Sequence, residues 1–252
     1  MRNSKLITIY ITNFNYANYI DKAIKSVLNQ SYKNFEIIIV DDASEDNSKE
    51  ILKNYESNKK ISIIYNKKKK GLIRSSNIAI KASRGVFFLR LDADDYLHPN
   101  AIGTMFKIIK NSPNTALIFS DFYTFNNRSK KLKRNRYKNK KNYSVEDDPV
   151  HGACSLINKK IFTKIGGYNS KFDKQDGYYL WLAFLLNNHR VSHCKKLLFF
   201  YRKHNKSLSK NLVKIFNTRL DILNFFSKKN LNFKNLLINN KKKTILKLKK
   251  LK

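Results

Sequence analysis

Apolar runs and helical repeats of apolar residues alternate along the first half of the chain. The β-branched run from Leu6 to Ile11 is followed by apolar residues at helical spacing and then by a second run, Ile37 to Val40. This order predicts a strand, a helix and a strand. Four more elements continue the alternation, namely a helix from about Asn47 to Tyr55, a strand at Ile61 to Tyr65, a helix near Leu72 to Ser83 and a strand at Val86 to Leu91. Alternating β and α elements predict a parallel sheet covered by helices.

In the second half of the chain, a basic segment interrupts the pattern. Pro99 suits the first turn of a helix whose apolar residues run to Ile109, and a strand is predicted at Ala116 to Ser120. Residues 126–142 contain nine basic residues and no acidic one, which predicts an exposed, mobile loop. Beyond this loop the pattern predicts a strand and then a helix over Ser155 to Ile165, a helix at Tyr178 to Asn187, a strand at Leu197 to Tyr201 and an amphipathic helix at Leu212 to Phe226, followed by a basic amphipathic tail.

Composition allows a substantial hydrophobic core but leaves the partner open. The 252 residues are 42% hydrophobic, which suffices for one large domain or two small ones. The formal net charge of +34 indicates an anionic partner: nucleic acid, an acidic membrane face or a phosphorylated substrate. Biased genomic composition would produce the same excess of lysine, and in that case much of the charge is simply a solvated surface.

The cysteines and the lack of a long apolar run bear on the compartment. Cys154 and Cys194 show no metal-type or redox-type spacing, so we expect buried thiols in a reducing compartment. No apolar run approaches the roughly 20 residues that a membrane span requires. The apolar stretch near the N-terminus is too short for a signal peptide. We therefore expect a cytoplasmic protein.

Two acidic clusters follow buried strands directly. Asp41 and Asp42 come after the run IIIV, and residues 92–95 (DADD) come after FFLRL. Ligands of open parallel sheets bind at the carboxyl ends of the strands, so both clusters should lie on one rim. Concentrated carboxylates are costly without a compensating cation, which predicts a Mg²⁺ or Mn²⁺ site bridging a diphosphate. The alternative is that these aspartates only cap turns and helices, although two clusters at equivalent strand ends weigh against it.

Three segments in order along the chain resemble the inverting family 2 glycosyltransferases with the GT-A fold. They are ITIYITNFNYANYIDKAIKSVLNQSYKNFEIIIVDDASEDNS, GLIRSSNIAIKASRGVFFLRLDADD and IGGYNSKFDKQDGYYLWLAF, and the resemblance covers about residues 5–210. It implies a Rossmann-like, mostly parallel central sheet flanked by helices. It also implies a GT-A domain over residues 1–210, with a donor-binding half at about 1–125, the basic loop at 126–142, an acceptor side at 143–210, and a C-terminal helix and basic tail at 211–252.

The resemblance assigns roles to individual residues. A nucleoside pocket is implied at Thr12, Asn13, Asn15, Asp41 and Asp42, with further donor contacts at Asn77, Asp92 and Ala93. For a Mn²⁺ or Mg²⁺ ion, it makes Asp94 the principal ligand and Asp92 a ribose or metal contact. His204, in the segment YRKHNKSLS, would be a further ligand or a diphosphate contact.

On the acceptor side, the resemblance makes Asp176 the catalytic base. Inverting transfer needs a carboxylate to take the proton of the acceptor hydroxyl, while a metal stabilises charge on the departing nucleoside diphosphate. The chain departs from the family twice. The usual Arg-Asn is Ser76-Asn77, which would leave phosphate or sugar contacts to Arg74 or Arg90, or to neither. Gln175 replaces the usual Glu and removes a negative charge beside the base.

Several alternatives stay open from the sequence. The charge and the aromatic residues fit a nucleic-acid-binding protein, but no recognition motif for nucleic acid is present. A nucleotidyltransferase would also place paired carboxylates beside a metal, and a degenerate glycosyltransferase would bind donor without transfer. The expected partners are a nucleotide-sugar donor and a saccharide or lipid-linked acceptor. The basic loop and tail would suit contact with the inner face of an anionic membrane, and the tail would then use one helix face with Ile245, Leu248 and Leu251. Equally, the basic residues would suit a surface that is simply solvated.

Overall fold

A computed structural model describes residues 4–126, 131–138, 140–147, 152–172, 174–204, 211–229 and 233–250. The strands are β1 Ile7–Asn13, β2 Phe35–Asp41, β3 Ile61–Tyr65, β4 Phe87–Asp92, β5 Tyr96–Leu97, β6 Thr115–Asn126, β7 Lys133–Asn135, β8 Ser155–Asn158 and β9 Arg190–Lys203. The helices are α1 Ala17–Leu28, α2 Ser48–Lys53, α3 Leu72–Ala82, α4 Ala101–Ile109, α5 Lys159–Lys164, α6 Asp176–Leu186, α7 Leu212–Lys229 and α8 Lys234–Lys249.

The strands of the described residues form one nine-stranded sheet in the order β3-β2-β1-β4-β8-β6-β9-β5, with β7 paired to β6. The first four strands in this order are parallel, and β6 and β9 are parallel to each other. β8 runs antiparallel between the two groups. The predicted sheet flanked by helices is therefore confirmed, and its parallel half carries both acidic clusters.

Strand register brings the two clusters to one edge. In the β1–β2 pair Asn13 lies opposite Asp41, and in the β1–β4 pair Thr12 lies opposite Asp92. Because all three strands run the same way, their carboxyl ends meet at that edge. Gly85 allows β4 to approach β1 closely, since a Cβ at this position would lie 2.5 Å from the backbone nitrogen of Thr8.

Alternate residues of the central strands pack into two core layers, as a period of two requires. One layer holds Tyr10 and Phe88 together with α6, and the other holds Ile9 and Ile11 together with α1 and α4. α6 is apolar nearly all round and lies inside the fold, which anchors its first residue, Asp176. α7 contributes to the same layer as α6.

The structure differs from the sequence predictions mainly in its second half. β6 and β9 extend well past the predicted Ala116–Ser120 and Leu197–Tyr201, because they pair with each other as far as residues 126 and 203. Part of the predicted loop, Lys133–Asn135, is strand β7 paired to β6, so the expectation of a segment without regular structure is wrong there. Loop residues 127–130 and 139 lie outside the described part. α4 begins at Ala101, two residues after Pro99.

The basic tail forms α8 and packs against α7. Its buried residues are Leu237, Asn240 and Thr244. Ile245 and Leu248 are half-buried, whereas Leu246 is 59% exposed. The helix face predicted for an interface is thus partly used inside the protein, because α7 offers apolar side chains to it. Leu251 lies outside the described residues.

Candidate donor and acceptor site

The carboxylates at the end of β2 organise the turns around the expected nucleoside pocket. Asp41 accepts hydrogen bonds from the Asn13 amide, 2.8 Å, and from the backbone N–H of Ser44, 2.9 Å. Asp42 accepts from the Asn66 side chain and from the backbone N–H groups of residues 70 and 71, all within 2.8 Å. Both aspartates are buried. They cap turns, as the alternative interpretation predicted, and they thereby hold the ends of β1, β2 and β3 together.

The other predicted donor residues fall into two places. Asn15 has φ 57° and accepts from the backbone N–H of Glu45 at 2.8 Å, which keeps the loop after β1 against the loop after β2. Asn13 is 1% exposed, and its side-chain oxygen has no hydrogen-bond partner among the described residues. Thr12 lies beside these residues on β1. Asn77 is on α3 and donates to the Tyr168 carbonyl at 3.3 Å, which places its amide against the segment that leads into α6.

The turn after β4 is held by the end of β9, although the two are more than 100 residues apart in sequence. His204 Nε2 and Asp94 Oδ2 are 2.7 Å apart. The backbone N–H of Arg202 donates to Asp95 Oδ1, and its Nε donates to the Asp94 carbonyl, both at 2.7 Å. Ala93 is buried within the turn. The structure therefore brings His204 to Asp94, the residue for which the resemblance implies the principal metal role.

Negative charge at this turn is only partly compensated. Burial, and then the neighbouring Asp92 carboxylate, raise the pKa of Asp94. Burial and the charges of Asp94 and Asp92 raise the pKa of Asp95. The pKa of the nearby Tyr16 hydroxyl is raised by burial and by the same carboxylates. A bound cation would relieve this repulsion.

The residues of this turn fit a divalent cation in part. The donors are carboxylate oxygens, which suit both Mn²⁺ and Mg²⁺, and an imidazole nitrogen, which suits a transition metal such as Mn²⁺ better than Mg²⁺. Within the described part of the chain, no group of three or more His, Cys, Asp or Glu side chains is arranged to hold a metal. The Asp94–His204 pair alone would therefore hold a cation only with further ligands, such as substrate phosphates and water.

Asp176 begins α6 and forms a buried ion pair with Arg90 of β4. Arg90 Nη1 donates to Asp176 Oδ2, and Arg90 Nε lies 2.9 Å from Asp92 Oδ1. Burial alone would lower the pKa of the guanidinium, but Asp176 and Asp92 raise it above its ordinary value. Arg90 therefore joins the predicted base to the β4 cluster. The sequence signal for this pair was an arginine within the apolar run FFLRL, because a buried cation needs a partner.

A second contact missing from the sequence predictions supports the residue before Asp176. Gln175 has φ 60°, in the left-handed region, and its side-chain oxygen accepts from Arg219 Nε at 2.7 Å. The Arg219 guanidinium also lies 5.0 Å from the centre of the Tyr178 ring. α7 thus reaches back to the N-terminus of α6. Nothing in the local sequence indicates a contact between residues 44 positions apart.

Comparisons with solved structures identify the fold. Structural similarity extends to S. aureus TarS in complex with UDP, with TM-score 0.70 and 16% identity over 86% of this chain and 64% of that one. It extends also to the mannosyltransferase PcManGT from Pyrobaculum calidifontis, in complex with GDP-Man and Mn²⁺, with TM-score 0.75 and 11% identity over 95% of this chain and 70% of that one. These likenesses show a GT-A fold.

Sequence relatives point the same way. An uncharacterized glycosyltransferase of Methanocaldococcus jannaschii is 29% identical over 80% of this chain and 72% of its own length. One from Rickettsia typhi is 32% identical over 72% of this chain, which spans only 59% of that protein. The Escherichia coli protein WfgD, a UDP-Glc:α-D-GlcNAc-diphosphoundecaprenol β-1,3-glucosyltransferase, is 27% identical over 88% of this chain and 86% of its own length. The model of the family described as "Glycosyl transferase family 2" matches residues 8–166, the stretch that carries both acidic clusters, and the chain belongs to that family.

Proposed function

We propose that this glycosyltransferase moves a sugar from a nucleoside diphosphate, uridine diphosphate in the first instance, to a hydroxyl of a saccharide or lipid-linked acceptor, with inversion at the anomeric carbon. The observation that carries the proposal is the ion-pair chain Asp176–Arg90–Asp92. This chain of contacts places the buried Asp176 carboxylate beside the end of β4, where the donor would bind. Asp176 is the base in our proposal.

The names of the relatives support the choice of substrates. WfgD is named for UDP-Glc and for a GlcNAc-diphosphoundecaprenol acceptor. TarS has been solved with UDP and with UDP-GlcNAc, and PcManGT with GDP-Man and Mn²⁺. A uridine donor and a diphosphate-linked lipid acceptor in the assembly of bacterial surface glycans are therefore the first substrates to test.

The chemistry follows from the roles proposed for the side chains. Asp176 takes the proton of the acceptor hydroxyl as that oxygen attacks the anomeric carbon from the face opposite the leaving group. Asp94 and His204, with Asp92 beside them, would hold Mn²⁺ or Mg²⁺, which supplies positive charge to the departing diphosphate. Asn13, whose side-chain oxygen has no partner among the described residues, would accept a hydrogen bond from the nucleoside.

Contact with a membrane belongs to the same proposal. In the described part of the chain, no helix is both long and apolar enough to cross a bilayer. α8 carries six lysines and no acidic residue, and beside them Leu246 is exposed. Such a surface suits peripheral binding to anionic lipid, where each basic residue contributes up to about 1 kcal/mol. Co-sedimentation with phosphatidylglycerol vesicles but not with phosphatidylcholine vesicles is expected, and equal recovery with both would contradict it.

Calorimetric titration with UDP, GDP, CMP and dTDP, each with and without Mn²⁺, tests the donor. High salt is needed because a chain of this charge binds anions unspecifically. We expect metal-dependent binding selective for UDP, lost in Asp94→Ala.

Asp176→Asn should keep UDP binding and lose transfer. If purified Asp176→Asn transfers sugar like the wild type, the base is misassigned. If folded protein binds no nucleotide, a nucleic-acid-binding protein becomes the better interpretation, whereas nucleotide binding by a wild type without transfer would indicate a degenerate glycosyltransferase. A nucleotidyltransferase would not require Asp176.

A further inference from the structure

The buried guanidinium of Arg90 contacts carboxylates from both halves of the site. Its side chain is 7% exposed and lies between Asp92, two residues along the same strand, and Asp176 at the start of α6. Nη1 donates to Asp176 Oδ2. Nε is 2.9 Å from Asp92 Oδ1, but its hydrogen does not point at that oxygen, and Nη2 is 3.4 Å from Asp92 Oδ2. The Asp176 bond is thus the directional contact, and the Asp92 contact is an ion pair with one long hydrogen bond.

Arginine is the side chain that this geometry demands. Its planar fork presents several N–H donors in fixed directions, so one guanidinium reaches two carboxylates. A lysine ammonium is a single point of charge on a flexible stem and cannot hold both in the same way. Hydrogen bonding to Arg90 leaves Asp176 Oδ1 without a partner among the described residues.

We propose that Arg90 is a positioning residue for sugar transfer. It holds Asp176 Oδ2, so that Oδ1 is the oxygen left to take the acceptor proton, and it fixes that carboxylate relative to Asp92 on the donor side. Arg90 acts through Asp176 and touches neither donor nor acceptor. This role rests on the proposed function, in which Asp176 is the base.

The segment around Gly152 packs closely against the ion pair and supports its geometry. Gly152 lies directly against it, since a Cβ at this position would be 3.2 Å from Arg90 Nη2 and 3.5 Å from Asp176 Oδ2. The backbone of Cys154 donates to the Arg90 carbonyl at 3.0 Å, which fixes this segment over β4. A side chain at position 152 would therefore press on the Arg90 guanidinium and disturb its contact with Asp176.

Arg90→Lys tests the role while it keeps the buried positive charge. Nucleotide release from UDP-glucose, UDP-N-acetylglucosamine, UDP-galactose and GDP-mannose, with water as acceptor, identifies the donor that the wild type turns over fastest. With that donor we expect kcat to fall about 100-fold in Arg90→Lys, the scale of loss from a misplacement of about 1 Å. The donor KM, and the Kd for UDP with Mn²⁺, should change less than about threefold, because the contacts that bind the donor in the ground state are unchanged.

A double-mutant cycle separates positioning from an independent effect. In the Asp176→Asn background, Arg90→Lys should lower the residual rate of nucleotide release by less than about threefold, because the effects of two residues that act as one unit are not additive. Arg84→Lys is the matched control: Arg84 pairs with Glu36 at 2.8 Å, away from the site, and this exchange should leave kcat unchanged. Arg90→Gln is the second variant, with thermal unfolding followed for both.

Each other outcome counts against the role. Wild-type turnover by Arg90→Lys, or the same fold loss in both backgrounds, would overturn it. A tenfold weaker Kd for UDP with kcat preserved would make Arg90 a diphosphate ligand instead. Loss of cooperative unfolding in both Arg90 variants would leave only a structural role. Wild-type protein that releases nucleotide from none of the donors would overturn the proposed function, and the role of Arg90 with it.

Discussion

Asp94→Asn should be more stable than the wild type without ligand and less stable than the wild type with ligand bound. The wild-type carboxylate is buried and lies beside Asp92, and both effects raise its pKa. The substitution keeps an oxygen to face His204, 2.7 Å away, and removes the charge. Removing an unfavourable buried charge of this kind typically raises the free energy of unfolding by about 0.5–2 kcal/mol. For a domain of 150–250 residues, about 1 kcal/mol corresponds to a rise in Tm of roughly 2–4 °C.

The pH dependence of this gain has a definite sign. A group whose folded pKa is raised contributes stability while it is protonated and loses that contribution as the pH rises through the folded pKa. The advantage of Asp94→Asn should therefore be full at pH 7.5. It should shrink as the pH falls through the raised pKa of Asp94 and disappear below the ordinary pKa of an aspartate, where the wild-type carboxyl is protonated in both the folded and the unfolded protein.

Thermal unfolding with and without ligand completes the test. With UDP and Mn²⁺ at about 100 times Kd, the wild type should gain about 2.7 kcal/mol, whereas Asp94→Asn should gain nothing, so the order of stability reverses. Asp21→Asn is the control of opposite sign. Burial raises the pKa of Asp21, but hydrogen bonds from Lys25 and Tyr55 outweigh burial and hold that pKa low. This variant should therefore lose stability at pH 7.5. A lower Tm for ligand-free Asp94→Asn at pH 7.5 would refute the electrostatic reasoning.

Three further predictions concern the surroundings of the site. Gln175→Glu should form an ion pair with Arg219, now 2.7 Å from the Gln175 oxygen, and raise stability by no more than about 1 kcal/mol in thermal unfolding. Gly152→Ala crowds Arg90 and should lower kcat about tenfold while calorimetry shows unchanged UDP binding. Burial raises the pKa of the Cys154 thiol to about 12, so native protein should resist a thiol reagent at pH 8 and react at this residue only after unfolding; rapid labelling of native protein would contradict the buried position.

The parallel half of the fold could be predicted from the sequence because its signals are local. The run at Leu6 to Ile11 overlaps β1 from Ile7 onward, the run at Ile37 to Val40 lies within β2, and the predicted strand Ile61–Tyr65 coincides with β3. The acidic residues after β2 and β4 then meet at one edge by topology alone, since the carboxyl ends of parallel neighbours coincide. Periodicity and strand direction were enough for this half of the site.

The rest depends on contacts between distant parts of the chain. The lengths of β6 and β9 are set by their mutual pairing, with irregular register near Asp121, and polar residues take part in it, so no alternation marks the strand ends. Gln175 and Arg219 meet only because α7 packs beside α6. His204 could be placed beside Asp94 only through the family resemblance, because a single histidine in a basic segment carries little information by itself.

The position of Arg90 also accounts for one departure from the family pattern. Where the family usually has arginine, this chain has Ser76, which is 1% exposed. Burial raises the pKa of the Tyr10 hydroxyl to about 12 against opposing effects of the Arg90 charge and the Ser76 side chain, so both residues lie beside that ring. Arg90 is also the partner of Tyr10 in the β1–β4 register. A second guanidinium in this volume would be a buried cation facing a cation. The small residue on α3 and the arginine on β4 are therefore compatible with each other, and in the proposed site the buried cation comes from the strand, where it reaches Asp92 and Asp176 together.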